Sequence, residues 1–282
     1  MISEVQNEHF AAWWSYWGQL VDCVDPIEGG EGRTLIYGFE NETEENAGKG
    51  EFEVPDIGAC YGYVGTGTLA LEYWVMGLNK ERQMRRHELT AGEWFVTPGG
   101  FTGFLVESGT RVVITQRLGF RAVATLGGPI EELGRLRYID SCSDTLLIAP
   151  PVKGEPCFNH LHFPVGIDQT QHFHPSNRSG MVARGKGTCA TPFGESELKT
   201  GLLFHIPHHG WHKFATLLDS PMDVVAYHPD SDWGPEHETH PMINRTWVGE
   251  ITAGHKMDPD AESLTVDGWP ERSPIPRHEL PN

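Results

Sequence analysis

Three histidines stand out by type and spacing. His172 and His174 close the segment Gly166-Ile-Asp-Gln-Thr-Gln-His172-Phe-His174, and His212 closes Gly201-Leu-Leu-Phe-His-Ile-Pro207-His-His-Gly-Trp-His212. Neutral imidazole binds most first-row transition metals. In extended chain, residues two apart point to the same face, so His172 and His174 can grip one ion together. His212 follows a Pro-containing turn and supplies a third ligand where the two segments lie side by side. Three neutral ligands leave coordination positions open, which makes such a site reactive rather than purely structural.

The remaining imidazoles crowd the same half: 11 of the 15 lie between His160 and His240. His160 and His162 form a second H-x-H, but Leu161 and Phe163 alternate with them and read as the inward-facing pair of that strand. His205, His208 and His209 crowd the turn before His212, where one of them can orient a ligating ring. His205 and His228 are candidates for moving a proton at a metal-polarised substrate. Residues 227–240 are polar and aromatic, and read either as a lid over the site or as a solvated loop.

A mainly β framework must position these groups. Short β-like runs such as residues 69–76 and 111–115 are separated by turn formers, of which 33 Gly and 20 Pro supply many. The stretch from residue 8 to 20 carries Trp13, Trp14 and Trp17 and is amphipathic; it predicts a short helix packed on the β framework. Turn-rich segments near residues 127–132 and 150–156 separate two halves. The expected division is residues 1–150, residues 151–249 and a polar tail, 250–282, in which Pro270, Pro274, Pro276 and Pro281 predict an extended arm.

The formal net charge of −18 comes without the basic stripe that phosphates require, which argues against a nucleic-acid partner. Solubility is the plain reading of that acidity. No apolar run reaches the length of a bilayer crossing, and Met1–Glu8 lacks the basic start and apolar stretch of a secretion signal. No membrane partner is therefore expected, and the expected compartment is the cytoplasm. Cys23, Cys60, Cys142, Cys157 and Cys189 form no C-x-x-C pair and read as free thiols. The Trp-rich N-terminal stretch and the Pro-rich tail are the natural material for a homodimer contact.

The two histidine segments resemble the motifs of the cupin superfamily, G-x5-H-x-H-x3,4-E-x6-G and G-x5-P-x-G-x2-H-x3-N. The first runs from Gly166 through His172 and His174 to Gly185, with Arg178 where the family has glutamate. The second runs from Gly201 through Pro207 to His212, with His209 at the usual glycine and Thr216 at the usual asparagine. Gly92-Glu-Trp-Phe-Val-Thr-Pro98-Gly-Gly100 repeats the opening of the second motif, with Gly103 where its histidine would stand. The resemblance implies an all-β fold of two tandem cupin-type jelly-roll barrels with the short N-terminal helix added. The first barrel would lack a metal and be filled by side chains such as Trp94 and Phe95. The second would hold one divalent transition metal on His172, His174 and His212.

Arginine cannot ligate a cation, so Arg178 either anchors an anionic substrate beside the metal or turns outward into a salt bridge. Three-His cupins include non-haem iron dioxygenases, and the resemblance implies an Fe(II) dioxygenase acting on a small anionic metabolite, with Arg178 as substrate anchor. Zinc, manganese or nickel on the same ligands would instead polarise a carbonyl for an isomerase or lyase, with His205 or His228 moving the proton. A non-catalytic bicupin that binds a small molecule is the third reading.

Overall fold

The computed structural model describes residues 4–27 and 30–230, together with residues 234, 242, 245–248 and 251–252. Its regular structure is almost entirely antiparallel strand, with a short 3₁₀ turn at Ile139–Ser141. Apart from Ile251 and Thr252, the tail, 250–282, lies outside the described residues, as does most of the proposed lid segment. Among the described residues, no helix is long and apolar enough to cross a membrane. All five cysteines are free thiols.

Two facing sheets build the first barrel. One orders the strands Thr125–Gly127, Trp94–Thr97, Gly58–Thr66, Arg111–Leu118, Gly30–Glu40 and Trp17–Ile27; the other orders Glu51–Val54, Phe101–Leu105, Thr68–Met76 and Arg82–Thr90. Aromatic and branched side chains fill the space between them, among them Phe39, Phe52, Leu71, Phe95, Phe101 and Ile114. The Phe39 and Phe52 rings stack with centroids 3.7 Å apart. A Cβ on Gly103 would come within 2.2 Å of the Phe52 ring, so an aromatic ring fills the space that a side chain here would need. Phe95 faces this core, whereas Trp94, its neighbour on the strand, faces the layer between the barrels. Only one of the two side chains expected to fill the barrel does so, because consecutive strand residues point to opposite faces.

The second barrel is built on a ten-stranded sheet. Its path runs Glu4–Gln6, Ala11–Trp13, Leu203–Ile206, Arg178–Thr191, Met222–His228, Cys157–Phe163, Ser143–Ile148 and Leu136–Arg137. The long strand Arg178–Thr191 shifts register between Val182 and Arg184, then pairs with Gly194–Lys199 and Lys213–Ala215, which closes the barrel. Gly185 makes this turn possible: its φ is +75°, and a Cβ there would meet the Pro221 carbonyl oxygen at 1.9 Å.

The helix expected over residues 8–20 does not form. Ala11–Trp13 is a strand paired with Leu203–Ile206, and Trp17 begins the strand Trp17–Ile27. Phe10 and Ala12 face the core of the second barrel, while Ala11 and Trp13 face the layer between the barrels. A strand buried on both faces reads as an unbroken apolar run, which periodicity does not separate from a helix. Residues 4–13 and 136–148 thus join the second barrel's sheet although they precede residue 150. The layer between the barrels packs Tyr61, Tyr63 and Val113 against Phe158, Met181, Val225 and Tyr227.

Candidate metal centre

A short antiparallel bridge brings the two histidine segments together. The backbone N–H groups of His172 and His212 each donate to the other's carbonyl at 2.9 Å, and the His209 N–H donates to the His174 carbonyl at 2.8 Å. The pairing is shorter than the strand that the sequence suggested; Pro175 follows His174 and has no N–H to extend a ladder. Alternation still holds. Phe173 points outward against His209 and Trp211, with ring centroids 5.2 and 4.8 Å away. His209 replaces the motif glycine yet keeps a left-handed backbone, with φ 58°.

The three rings converge, with centroids 4.6, 5.0 and 5.3 Å apart. One nitrogen from each lies within 4.8 Å of the others, a group able to hold a metal ion. His172 Nδ1 lies 2.8 Å from the Thr170 carbonyl oxygen, and His212 Nδ1 lies 2.8 Å from that of Gly210. A carbonyl only accepts, so both Nδ1 atoms carry the proton and both Nε2 lone pairs are left for a ligand. Burial holds the His174 pKa down to about 2, helped by Arg178 and the other two imidazoles. Burial likewise holds His212 at about 4. These two rings therefore stay in the neutral, metal-binding form well into acid. Residue types, tautomers and spacing all fit a divalent transition metal.

His172 and His174 line a cavity of about 50 Å3 whose walls include Leu161, Phe163, Phe204, Ile206 and Val224. Tyr138, Asp144, His174, Arg178 and His228 line both this cavity and a wider mouth of about 430 Å3. Arg178 therefore faces the site. Its Nη1 donates to the Ser176 carbonyl at 3.1 Å, to Ser176 Oγ at 2.8 Å and to the Asn177 carbonyl at 2.9 Å. Its charge lowers the pKa values of His174, His212 and His228. For His228, burial is the larger cause and pushes the imidazole far below its ordinary range.

The structure does not bring His205 to the cavity. Its neighbours Phe204 and Ile206 line it, so His205 faces the other way. Its Nδ1 lies 3.0 Å from Ser179 Oγ, which donates to Asn177 Oδ1 at 2.9 Å. The Asn177 backbone N–H donates to Asp25 Oδ1 at 2.7 Å, so this buried polar chain ties the second barrel to the first. Burial lowers the His205 pKa to about 4. His160 and His162 also face away, each bonded to Asp223 Oδ1, at 2.8 and 2.9 Å, with Arg184 Nε on the other oxygen at 3.1 Å. The sequence reading missed Asp144 and Tyr138. Neither lies in a motif, and only the pairing of Ser143–Ile148 with Cys157–Phe163 carries Asp144 into this barrel.

Two barrels packed together, the second closing on three imidazoles, define an all-β tandem jelly-roll fold with one candidate metal centre among the described residues. The solved structures to which the chain is similar include a cupin 2 conserved barrel domain protein from Leptotrichia buccalis, at 12% identity and a TM-score of 0.45 over 76% of this chain and 90% of that one. AerE from Microcystis aeruginosa is similar at 12% identity and a TM-score of 0.46, over 79% of this chain and 94% of that one. A mutant form of Bacillus subtilis oxalate decarboxylase is similar at 8% identity and a TM-score of 0.43, over 83% of this chain and 77% of that one. No protein-family model and no curated protein matches the sequence.

Proposed function

We propose that the chain is a metal-dependent bicupin enzyme. In this reading the second barrel binds one Fe(II) on His172, His174 and His212 and acts as a dioxygenase on a small anionic metabolite. The observation that carries it is the fixed tautomer of His172 and His212, whose Nδ1 atoms are both engaged by backbone carbonyls while the three rings converge. The metal would supply Lewis acidity and, as Fe(II), reactivity toward dioxygen.

The chain's own residues supply the rest. Three neutral ligands leave the charge of a bound ion uncompensated, and Arg178 adds another positive charge, so the site favours an anion. The Arg178 guanidinium, braced by Ser176 and Asn177, is suited to hold a carboxylate. The apolar wall of the inner cavity keeps bulk water from the reacting end of the substrate.

A redox-neutral isomerase or lyase using zinc, manganese or nickel is the second reading. What favours it is that His228 and Asp144 line the same cavity, the imidazole held neutral and the carboxyl raised by burial. The raised carboxyl can take a proton and return it, while the neutral imidazole offers a hydrogen-bonding group in the same cavity. Elemental analysis of protein purified without added metal, followed by oxygen-uptake assays on a panel of small carboxylates, tests the choice. Substrate-dependent oxygen uptake with Fe(II) supports the dioxygenase; full turnover with zinc under anaerobic conditions overturns it in favour of the second reading.

A further inference from the structure

Two polar side chains in the second barrel are accounted for by neither the imidazoles nor Arg178. Asp144 stands on the strand Ser143–Ile148 and Asn159 on Cys157–Phe163, and Asn159 Nδ2 donates to Asp144 Oδ2 at 2.8 Å. Each keeps a second oxygen. Asp144 Oδ1 and Asn159 Oδ1 are both buried and have no hydrogen-bond partner among the described residues. Asn159 as a whole is only 3% exposed. Both residues line the mouth cavity together with His174, Arg178 and His228, and Asp144 also reaches the inner cavity.

A buried acceptor left unmet is destabilising, and native proteins leave few of them. Here two sit side by side in a cavity that already offers positive charge at Arg178. An anionic head on Arg178 and the metal would place the remainder of a ligand within the same cavity as these oxygens. That remainder must present donors, since an amide oxygen and a carboxylate oxygen only accept. Burial raises the Asp144 carboxyl above its ordinary range, with the Asn159 hydrogen bond opposing it. A donor arriving from a ligand would favour the charged form in the same way as Asn159 does.

We propose that Asp144 and Asn159 form an acceptor subsite that recognises a hydroxyl or ammonium group on a carboxylate ligand held by the metal centre and Arg178. This rests on the anionic-ligand reading above and narrows its substrate class to hydroxy- or amino-carboxylates. The shared chemistry is a hydrogen-bond donor at the end of the ligand remote from its carboxylate.

The test is calorimetric titration of the metal-loaded, full-length protein with two sets of acids. These are propionate, 3-hydroxypropionate and 3-aminopropionate, then butyrate, 4-hydroxybutyrate and 4-aminobutyrate. Terminal donors are chosen because a 2-hydroxyl would chelate the metal itself. In one set or both, at least one donor-bearing acid is expected to bind tenfold or more tighter than the plain acid. Asn159→Leu should cut that advantage below twofold while leaving metal content and plain-acid affinity unchanged. Asp144→Asn keeps an acceptor but removes the charge, so it should abolish a preference for the ammonium and retain one for the hydroxyl; this variant decides the matter if Asn159→Leu fails to fold. No donor advantage in the unaltered protein, or an advantage untouched by the substitutions, overturns the subsite and leaves the anionic-ligand reading standing. Failure of all six acids to bind protein with full metal content overturns both.

Discussion

His172 and His212 face each other across a bridge in which each backbone N–H donates to the other's carbonyl at 2.9 Å. Each ring also holds its own Nδ1 2.8 Å from the carbonyl oxygen two residues earlier in its segment. The same local device, used twice, aims two Nε2 atoms at one point without a carboxylate to orient them. Turning either ring away would break a hydrogen bond worth about 1 kcal/mol, so the pair is prearranged for an ion.

Metal binding should depend on three residues. His172→Ala, His174→Ala and His212→Ala are each expected to lose the stoichiometric metal, while His9→Ala and His87→Ala keep it. Elemental analysis after dialysis reads this directly. A full equivalent retained by the double change of His172 and His174 would sink the assignment.

Arg178 should matter for the anion and not for the ion. Arg178→Ala is expected to leave metal content unchanged and to weaken a bound carboxylate by about 2–4 kcal/mol, the range for a lost buried charge-assisted pair. Arg178→Glu places the family's usual acidic residue beside the imidazoles, and should tighten the metal while repelling the anion. Competition with a metal chelator and carboxylate titration separate the two effects; unchanged carboxylate affinity in both variants rules out the anchor.

The first barrel should resist a side chain at Gly103. Phe52 occupies the space a Cβ would take, so Gly103→Ala is expected to cost about 1–3 kcal/mol through overpacking, with no change in metal content. Urea unfolding measures the loss. Unaltered stability would mean that this core yields more readily than its stacked rings suggest.

Stability should fall in mild acid through His205. Its folded pKa is about 4, against roughly 6.5 in an unfolded chain. Between those values the unfolded state binds a proton that the native state does not, so stability rises with pH across the window. The contribution is fully present above about pH 6.5 and is lost as pH falls toward 4, on the order of 3 kcal/mol in all. Unfolding free energies of the metal-free protein, measured from pH 7 to pH 4, should drop less steeply in His205→Asn than in the unaltered chain. Equal slopes would contradict a buried neutral imidazole.

The sequence by itself determined what depends on short-range geometry. The i, i+2 spacing puts His172 and His174 on one face whatever surrounds them, and the motif glycines mark places where the chain must turn, as Gly185 does at φ +75°. Tertiary structure alone decided which face is which. Whether His205 or its neighbours Phe204 and Ile206 point into the barrel is a question of parity, and it is answered by what packs on either side of the strand. The same holds for residues 10–13, whose unbroken burial comes from lying between two barrels, and for Asp144, which reaches the cavity only because its strand pairs with Cys157–Phe163. Strand pairing joins residues far apart in the chain, and no local pattern encodes the partner.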